Sequence, residues 1–229
     1  MINLKNAFSS MPVFNDISPS SYAALAACAC LKPFLKGEHL FLDKDSVSNV
    51  YFMAEGKAAL YKLNHLYEKK IIFICGKGDM LNEVILQSQA ASINCEIIED
   101  SYVLSFPAPL FLHIMEQDFK LTAAVMDSMA LKIRRLYHQL KNTSNNVRGD
   151  IRLAAKLWKL SLDYGVPCSE GTMIDISMSI TYLAELLGSK RETVSRQVAL
   201  LSKKGLILYQ KNHFIIPDRD ALKNYVKET

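Results

Sequence analysis

Lys190, Arg191, Glu192, Ser195 and Arg196 fall within one short stretch of GSKRETVSRQVALLSKKGLI (188–207). These are side chains that read base edges. An arginine forks onto the two acceptors guanine shows in the major groove, and a carboxylate accepts from cytosine. On the outward front of a helix they would make a DNA-reading surface. A plainer reading exists. Glu192 and Arg196 stand four apart and can pair in solvent, and Arg191 can lie along the surface on its aliphatic stem. The charge distribution favours the first reading. Residues 188–212 hold six Lys/Arg against one acid, residues 141–229 hold fourteen against nine, and residues 1–140 hold thirteen against fourteen. The whole chain carries only +4, so the excess is local. Local positive charge is the footprint expected of phosphate binding.

The elements that must hold these side chains are legible around them. Ser179 is a fitting N-cap for a helix over 180–187, with Leu183, Leu186 and Leu187 on its apolar side. Ala184 is small enough for a close helix crossing. Gly188 can take the left-handed conformation that ends the helix, and Ser189 restarts the chain. Val194, Val198 and Leu201 then recur at helical spacing and face a core. A small residue, a glycine four later and a valine six after that is the spacing of a helix-turn-helix. Only the N-terminal turns of its second helix reach base edges. In GLILYQKNHFIIP (205–217) two strand-like runs flank Lys211-Asn212, and Asn tolerates the positive φ of a tight hairpin. This is a wing. Lys203, Lys204 and Lys211 near it would supply phosphate contacts that position the domain without reading sequence.

Upstream, Ser18-Pro19 opens a helix that the alanine-rich YAALAACACL (22–31) continues. From Phe34 to Phe106 short runs rich in Val, Ile, Phe and Tyr alternate with turn residues, the pattern of antiparallel strands in a small barrel or roll. Pro107 and Pro109 end the strand region. Asp118 can cap a helix that runs to Lys141. Within it Met126, Met129, Ile133, Leu136 and Leu140 recur at alternating spacings of three and four, an a/d seam. The seam suits a helix that pairs with its own copy; a monomer's core helix is the plain alternative. NTSNNVRG (142–149) breaks the period and reads as a hinge. A helix over 150–165, a loop through Pro167 and a short strand at MIDIS (173–177) follow.

Of 229 residues, half are hydrophobic, enough for one or two domains with real cores. No apolar run approaches the ~20 residues of a membrane helix. The start lacks a basic stretch followed by an apolar block, so a cytoplasmic protein is expected. Cys28, Cys30, Cys75, Cys95 and Cys168 are odd in number and scattered, unlike a disulfide framework. On a helix Cys28 and Cys30 would point to different faces, so small packed residues are the expectation, with a redox or iron–sulfur role as the alternative. No nucleophile–base constellation, phosphate loop or paired metal motif occurs, and an enzyme is not expected.

GSKRETVSRQVALLSKKGLI resembles the recognition-helix signature of the CRP/FNR family of bacterial transcription regulators, in which Arg-Glu-Thr-Val-x-Arg is characteristic. KGEHLFLDKDSVSNVYFMAEGKAALY (36–61) and GKGDMLNEVIL (76–86) are similar to that family's roll entry and to the segment before its effector cassette. The resemblance implies an α+β fold. A cyclic-nucleotide-binding-type β-roll and effector domain would span 1–117, a long dimerisation helix 118–142, and a winged helix-turn-helix 143–229. It implies base-edge contacts from Arg191, Glu192 and Arg196, with Ser189, Lys190 and Thr193 near phosphates; Ser179 and Ser195 belong to the same DNA-contacting set. Gln197 stands where the family has an apolar residue, and Val198 would take over that packing.

Nucleotide-binding members carry Gly-Glu-Leu-Gly in the cassette and Arg-Ser-Ala about ten residues on. Here the residues are Asn82-Glu83-Val84-Ile85 and Ile93-Asn94-Cys95, so only Glu83 survives. A buried phosphate without a cation is costly, and cyclic AMP is not the expected effector. Glu83, Ile93, Asn94 and Tyr137 are the candidate effector pocket; His138 is assigned to a solvated face. The cysteine spacing does not match that of the oxygen-sensing branch; Cys75, His65 and His113 are candidate haem ligands, with a structural role as the plainer reading. Implied partners are double-stranded DNA and a second copy of the chain, RNA polymerase if the protein is an activator, and a small-molecule effector. No cofactor is assigned. The alternative is a ligand- or redox-sensing module whose helix-turn-helix contacts proteins.

Overall fold

The computed structural model describes residues 3–87, 90–141 and 148–227. They form two compact units. One is built from residues up to Asn64 with Ile71–Leu136, the other from His65–Lys70 with residues from Tyr137 onward.

The first unit opens with helix α1 (Leu4–Ser9), a 3-10 turn at Pro12–Phe14 and helix α2 (Pro19–Cys28). The Ser18 hydroxyl caps α2 by accepting from Ser21 N, and Pro19 sits in the first turn, where its missing donor is not needed. Seven strands follow: β1 (Cys30–Phe34), β2 (His39–Phe41), β3 (Asn49–Glu55), β4 (Ala58–Leu63), β5 (Lys69–Cys75), β6 (Asn94–Ile97) and β7 (Ser101–Pro107). They make two sheets, in the orders β1-β7-β3 and β2-β6-β4-β5. The turn from β3 to β4 requires Gly56: its φ is 91°, and an added Cβ would come 2.1 Å from Ser101 Oγ. Phe8, Phe14, Phe52, Phe106 and Phe111 form a buried aromatic cluster between the first sheet and the flanking helices, with ring centroids 5.1–5.9 Å apart. That spacing is the preferred one for offset and edge-on aromatic pairs.

Helix α3 (Ala108–Gln117) and helix α4 (Phe119–Lys141) up to Leu136 complete this unit. Asp118 caps α4, its Oδ1 accepting from Lys120 N at 3.0 Å and from Leu121 N at 3.4 Å. Its Oδ2 accepts from Ser18 N at 2.8 Å, so one carboxylate serves the starts of two helices. On α4 the inward stripe is Leu121, Val125, Ser128 and Lys132; Leu121 and Val125 are buried in the core. The outward stripe keeps Phe119 78 %, Met126 59 % and Ile133 47 % exposed.

The second unit contains α5 (Gly149–Asp163), β8 (Gly165–Cys168), β9 (Gly171–Ile174), α6 (Ile180–Leu187), α7 (Arg191–Lys203), β10 (Leu208–Gln210), β11 (His213–Ile216) and α8 (Arg219–Lys227). Its sheet runs β10-β11-β9-β8. Leu153, Ala154 and Leu157 of α5, Val194 and Leu201 of α7, Phe214 of β11 and Leu222 of α8 are fully buried. The whole is an α+β fold, a roll followed by a long helix and a winged helix-turn-helix. Among the described residues no helix is long and apolar enough to cross a membrane.

Four expectations change. Helix α2 stops at Cys28, because Ala29 is extended (φ −69°, ψ 139°) and Cys30 begins β1. Cys30 is therefore an exposed strand residue, and Cys28 is only half-buried. The loop through Pro167 is strand β8, with Pro167 opposite Thr172. A proline is tolerated there because β8 is an edge strand. Gly149 is the first residue of α5 and not part of a hinge; most of that hinge, residues 142–147, lies outside the described residues.

Candidate nucleic-acid interface

Helix α6 begins at Ser179, whose hydroxyl accepts from Tyr182 N at 3.1 Å. It ends at Gly188 with φ 60° and ψ 46°, the left-handed cap, and the Ser189 amide donates back to Ala184 O. Ala184 is buried, as the close turn into α7 requires. Val194, Val198 and Leu201 fasten α7 inward. By 100° steps Glu192 and Arg196 fall opposite this stripe and Arg191 and Ser195 at its flanks, and all four are exposed; Lys190 just before them is exposed too, and Thr193 and Ser189 are half-buried. Arg196 Nε donates to the Glu192 carbonyl at 3.4 Å. The Glu192 carboxylate makes no ion pair with it, so the carboxylate and the remaining guanidinium donors face solvent.

The wing is a two-residue hairpin. Leu208, Tyr209 and Gln210 pair with Ile215, Phe214 and His213, and the turn residues Lys211 and Asn212 have φ 48° and 62°. Positive φ at both central positions matches the right-handed twist of the flanking strands. The Lys211 side chain points into solvent at the tip.

The remaining lysines are arranged differently. Lys203 and Lys204 sit at the C-terminal end of α7, roughly 18 Å from Arg191 at 1.5 Å rise per residue. Lys204 Nζ lies 4.6 Å over the Tyr225 ring of α8. The Tyr225 hydroxyl donates to Asp150, and Arg148 grips the same carboxylate through Nε at 3.2 Å and Nη2 at 2.7 Å. Burial pushes Asp150 up, but Tyr225 and Arg148 outweigh it and hold its carboxyl below the usual range. This cluster ties the first turn of α5 to the end of α7 and to α8. Gln197 faces the same corner: a Cβ on Gly149 would come 2.0 Å from its Nε2. Its side chain lies against the start of α5, while Val198 is buried, 7 % exposed.

The effector candidates do not converge. Glu83 is buried beneath α4, where its Oε2 receives Lys132 Nζ at 2.7 Å and its Oε1 receives Ser128 Oγ at 3.2 Å. Lys132 also donates to Met80 O at 2.7 Å. Asn82 beside it bonds Tyr51 N and Asn49 O at 2.8 Å each. Asn94 begins β6 with its amide shared between Asp43 N and Tyr61 O. Ile93 packs against the roll core, and Tyr137 is 68 % exposed on α4. The cation beside this set, Lys132, is already bonded to Glu83 and Met80 O. Lys132 was not singled out from sequence, although the signal was present: Leu121, Val125, Ser128 and Lys132 follow the heptad spacing on the inward face, and a lysine there demands a partner.

Cys75 and Cys95 are buried in the roll; burial pushes the Cys75 thiol up to about 12 and Cys95 higher still. Among the described residues no group of three or more His, Cys, Asp or Glu side chains is placed to hold a metal ion.

Comparison with known proteins draws these parts together. Residues 31–118 match the cyclic nucleotide-binding domain family, and residues 151–225 match the Crp-like helix-turn-helix domain family. The chain belongs to the CRP/FNR family. Such proteins are DNA-binding transcription regulators, and α6, α7 and the wing lie in their helix-turn-helix domain. The chain is 26 % identical over 222 residues to an anaerobic regulatory protein of Bacillus subtilis, covering 95 % of this chain and 93 % of that one. It is 23 % identical to a CRP-like cAMP-activated global transcriptional regulator of Mycobacterium tuberculosis, covering 92 % and 94 %. Its fold is similar to that of a CooA mutant from Carboxydothermus hydrogenoformans, with TM-score 0.75 at 17 % identity, covering 98 % and 96 %. A CRP-family transcriptional regulator of Thermus thermophilus gives TM-score 0.74 at 20 % identity, covering 86 % and 97 %.

Proposed function

We propose that two copies of the chain pair along α4 and bind a palindromic operator. The recognition helix α7 of each would enter the major groove of half-sites about one helical turn apart. Arg191, Glu192 and Arg196, with Ser195, read base edges. Ser179, Ser189, Lys190, Thr193 and Lys211 meet phosphates, with Lys203 and Lys204 at the outer end of α7. The observation that carries this reading is the split of α7: its apolar side is buried, and every charged group on its first two turns is exposed and without an ion-pair partner. Pairing along α4 is supported by Phe119, Met126 and Ile133, which repeat every seven residues and leave an apolar stripe open.

In this reading residues 1–117 sense, 118–142 dimerise and 143–229 bind DNA. The protein works in the cytoplasm, and an activator of this design would touch RNA polymerase. The signal is an effector or redox change other than cyclic AMP, because Glu83 is held by Lys132 and Ser128. A ligand using Glu83 would have to share that carboxylate with Lys132 and Ser128. Selection of bound sequences from a random duplex pool tests the core of the proposal. The parent should enrich a palindrome. Arg191→Ala and Arg196→Ala should each weaken that site by about 1–3 kcal/mol and relax preference within the half-site. A parent that enriches no sequence, or variants that select as the parent does, would reject the assigned readout. Calorimetric titration with cyclic AMP should show no binding, and micromolar affinity would reject that part.

A further inference from the structure

The wing turn is fastened to the segment leading into α6. The Met178 amide donates to the Asn212 carbonyl at 2.7 Å. The Tyr209 hydroxyl is shared between the Met178 carbonyl at 3.2 Å and Asn212 Oδ1 at 3.0 Å. Its ring stacks on Phe214 across the hairpin, with centroids 4.5 Å apart. One phenol therefore reaches both ends of the contact. Met178 is next to Ser179, and Asn212 is next to Lys211. The bonded pair thus sets Lys211 beside the start of α6.

On the α7 side the wing has no such support. A cavity of about 480 Å³ opens there, lined by Ser195, Ala199, Ser202, Tyr209 and Gln210. Gln210 turns away to Glu170, with Nε2 to Oε1 at 3.2 Å. Beside the β11–β9 pairing and the Gln210–Glu170 bond, the Met178 contact is thus what ties the turn itself.

We propose that Tyr209 is a positioning residue for DNA binding: its hydroxyl holds the wing turn against the lead-in of α6, so that Lys211 is presented to the phosphate backbone that flanks the major groove. This rests on the DNA-reading role given to α7. It adds that Lys211 delivers its charge only when Tyr209 holds the turn. A residue that merely stabilised the fold would weaken binding whether or not Lys211 were present.

The test is a double-mutant cycle read by salt dependence. Parent, Tyr209→Phe, Lys211→Ala and the double variant are titrated against one mixed-sequence duplex by fluorescence anisotropy, between about 50 and 200 mM salt. Loss of one phosphate contact lowers the slope of log K against log salt by about 0.9. Lys211→Ala should show that drop. Tyr209→Phe keeps the ring stack and should lower the slope in the same direction, and the double variant should fall no further than Lys211→Ala alone. Asn212→Gly, which keeps the left-handed turn and removes the side-chain acceptor, should behave as Tyr209→Phe and replaces it if that variant folds poorly. A Tyr209→Phe slope equal to the parent's, or losses that add in the double variant, overturns the proposal. An unchanged slope in Lys211→Ala also overturns it. Base reading by α7 then still stands if Arg191→Ala relaxes selection, and falls with it if Arg191→Ala does not.

Discussion

Replacing Lys132 by methionine isolates the Glu83–Lys132 pair. The side chains are 14 % and 9 % exposed and the charged atoms are 2.7 Å apart. At an effective dielectric near 20, that separation gives a gross attraction of about 6 kcal/mol, which the desolvation of both groups largely offsets. The variant does not lose this difference alone. It leaves the Glu83 carboxylate buried with only Ser128 as a donor, and removes the Lys132 bond to Met80 O. Breaking one side of a buried pair costs about 3–5 kcal/mol, and an orphaned carbonyl adds to it, so a loss near 4 kcal/mol is expected. For a unit of this size the melting point should fall roughly 10–15 °C. The chain has a single tryptophan, Trp158 on α5 in the second unit. The fall should therefore appear in far-ultraviolet circular dichroism while the Trp158 fluorescence transition stays in place. Replacing Glu83 and Lys132 together by leucine and methionine should return stability to within about 1 kcal/mol of the parent. A single variant within 1 kcal/mol of the parent, or a double variant no better than the single, would refute a buried, mutually dependent pair.

Other perturbations have equally definite outcomes. Asp118→Ala removes the cap of α4 and the acceptor for Ser18 N, and should cost about 1–2 kcal/mol in urea unfolding. The Ser18 amide, then the Ser21 hydroxyl, hold the Asp118 carboxyl well below the usual carboxylate range. Because that pKa is depressed in the fold, its contribution is complete above about pH 4 and fades as pH falls further, and the parent–variant gap should close in acid. With iodoacetamide at neutral pH, Cys30 should label first and Cys75 and Cys95 only on unfolding. A Cys75 label in the native state at the Cys30 rate would contradict its burial. Since burial raises both buried thiols, their contribution is intact below about pH 9 and is lost as pH climbs from there towards 12, so alkaline unfolding should ease in the parent and less so in Cys75→Ala. Gly188→Ala forces a Cβ into the left-handed region at φ 60° and should cost about 1 kcal/mol or more, with weakened DNA binding.

The helix-turn-helix and the wing are the most legible parts in sequence because each depends on local rules. Leu183, Leu186 and Leu187, then Val194, Val198 and Leu201, fixed two helix faces, and Gly188 and Asn212 marked positions where left-handed backbone is needed. Edges and ends were less legible. Gly165–Cys168 became strand β8 because partner β9 offered bonds that a proline can forgo at an edge, a tertiary fact with no local sign. Cys30 left the alanine-rich helix because β7 paired with it, Cys30 opposite Ser105. Helix α8 had a cue, Asp218, which accepts from Asp220 N and Ala221 N; its short apolar stripe around Leu222 was hidden among charges. The candidate effector set rests on the family resemblance, and a resemblance does not show that Glu83 already has a cation from α4.

The wing turn carries one more consequence. Tight hairpins of this kind favour asparagine followed by glycine, since a side chain at positive φ is strained. Here a lysine occupies the first of the two positions, at φ 48°. A glycine at 211 would relieve that strain and gain several tenths of a kcal/mol, less the entropy glycine adds to the unfolded chain. Lysine at this position sets stability against affinity in a single residue: the variant that melts higher should bind DNA more weakly, and selection for thermostability alone would remove the charge from the tip of the wing.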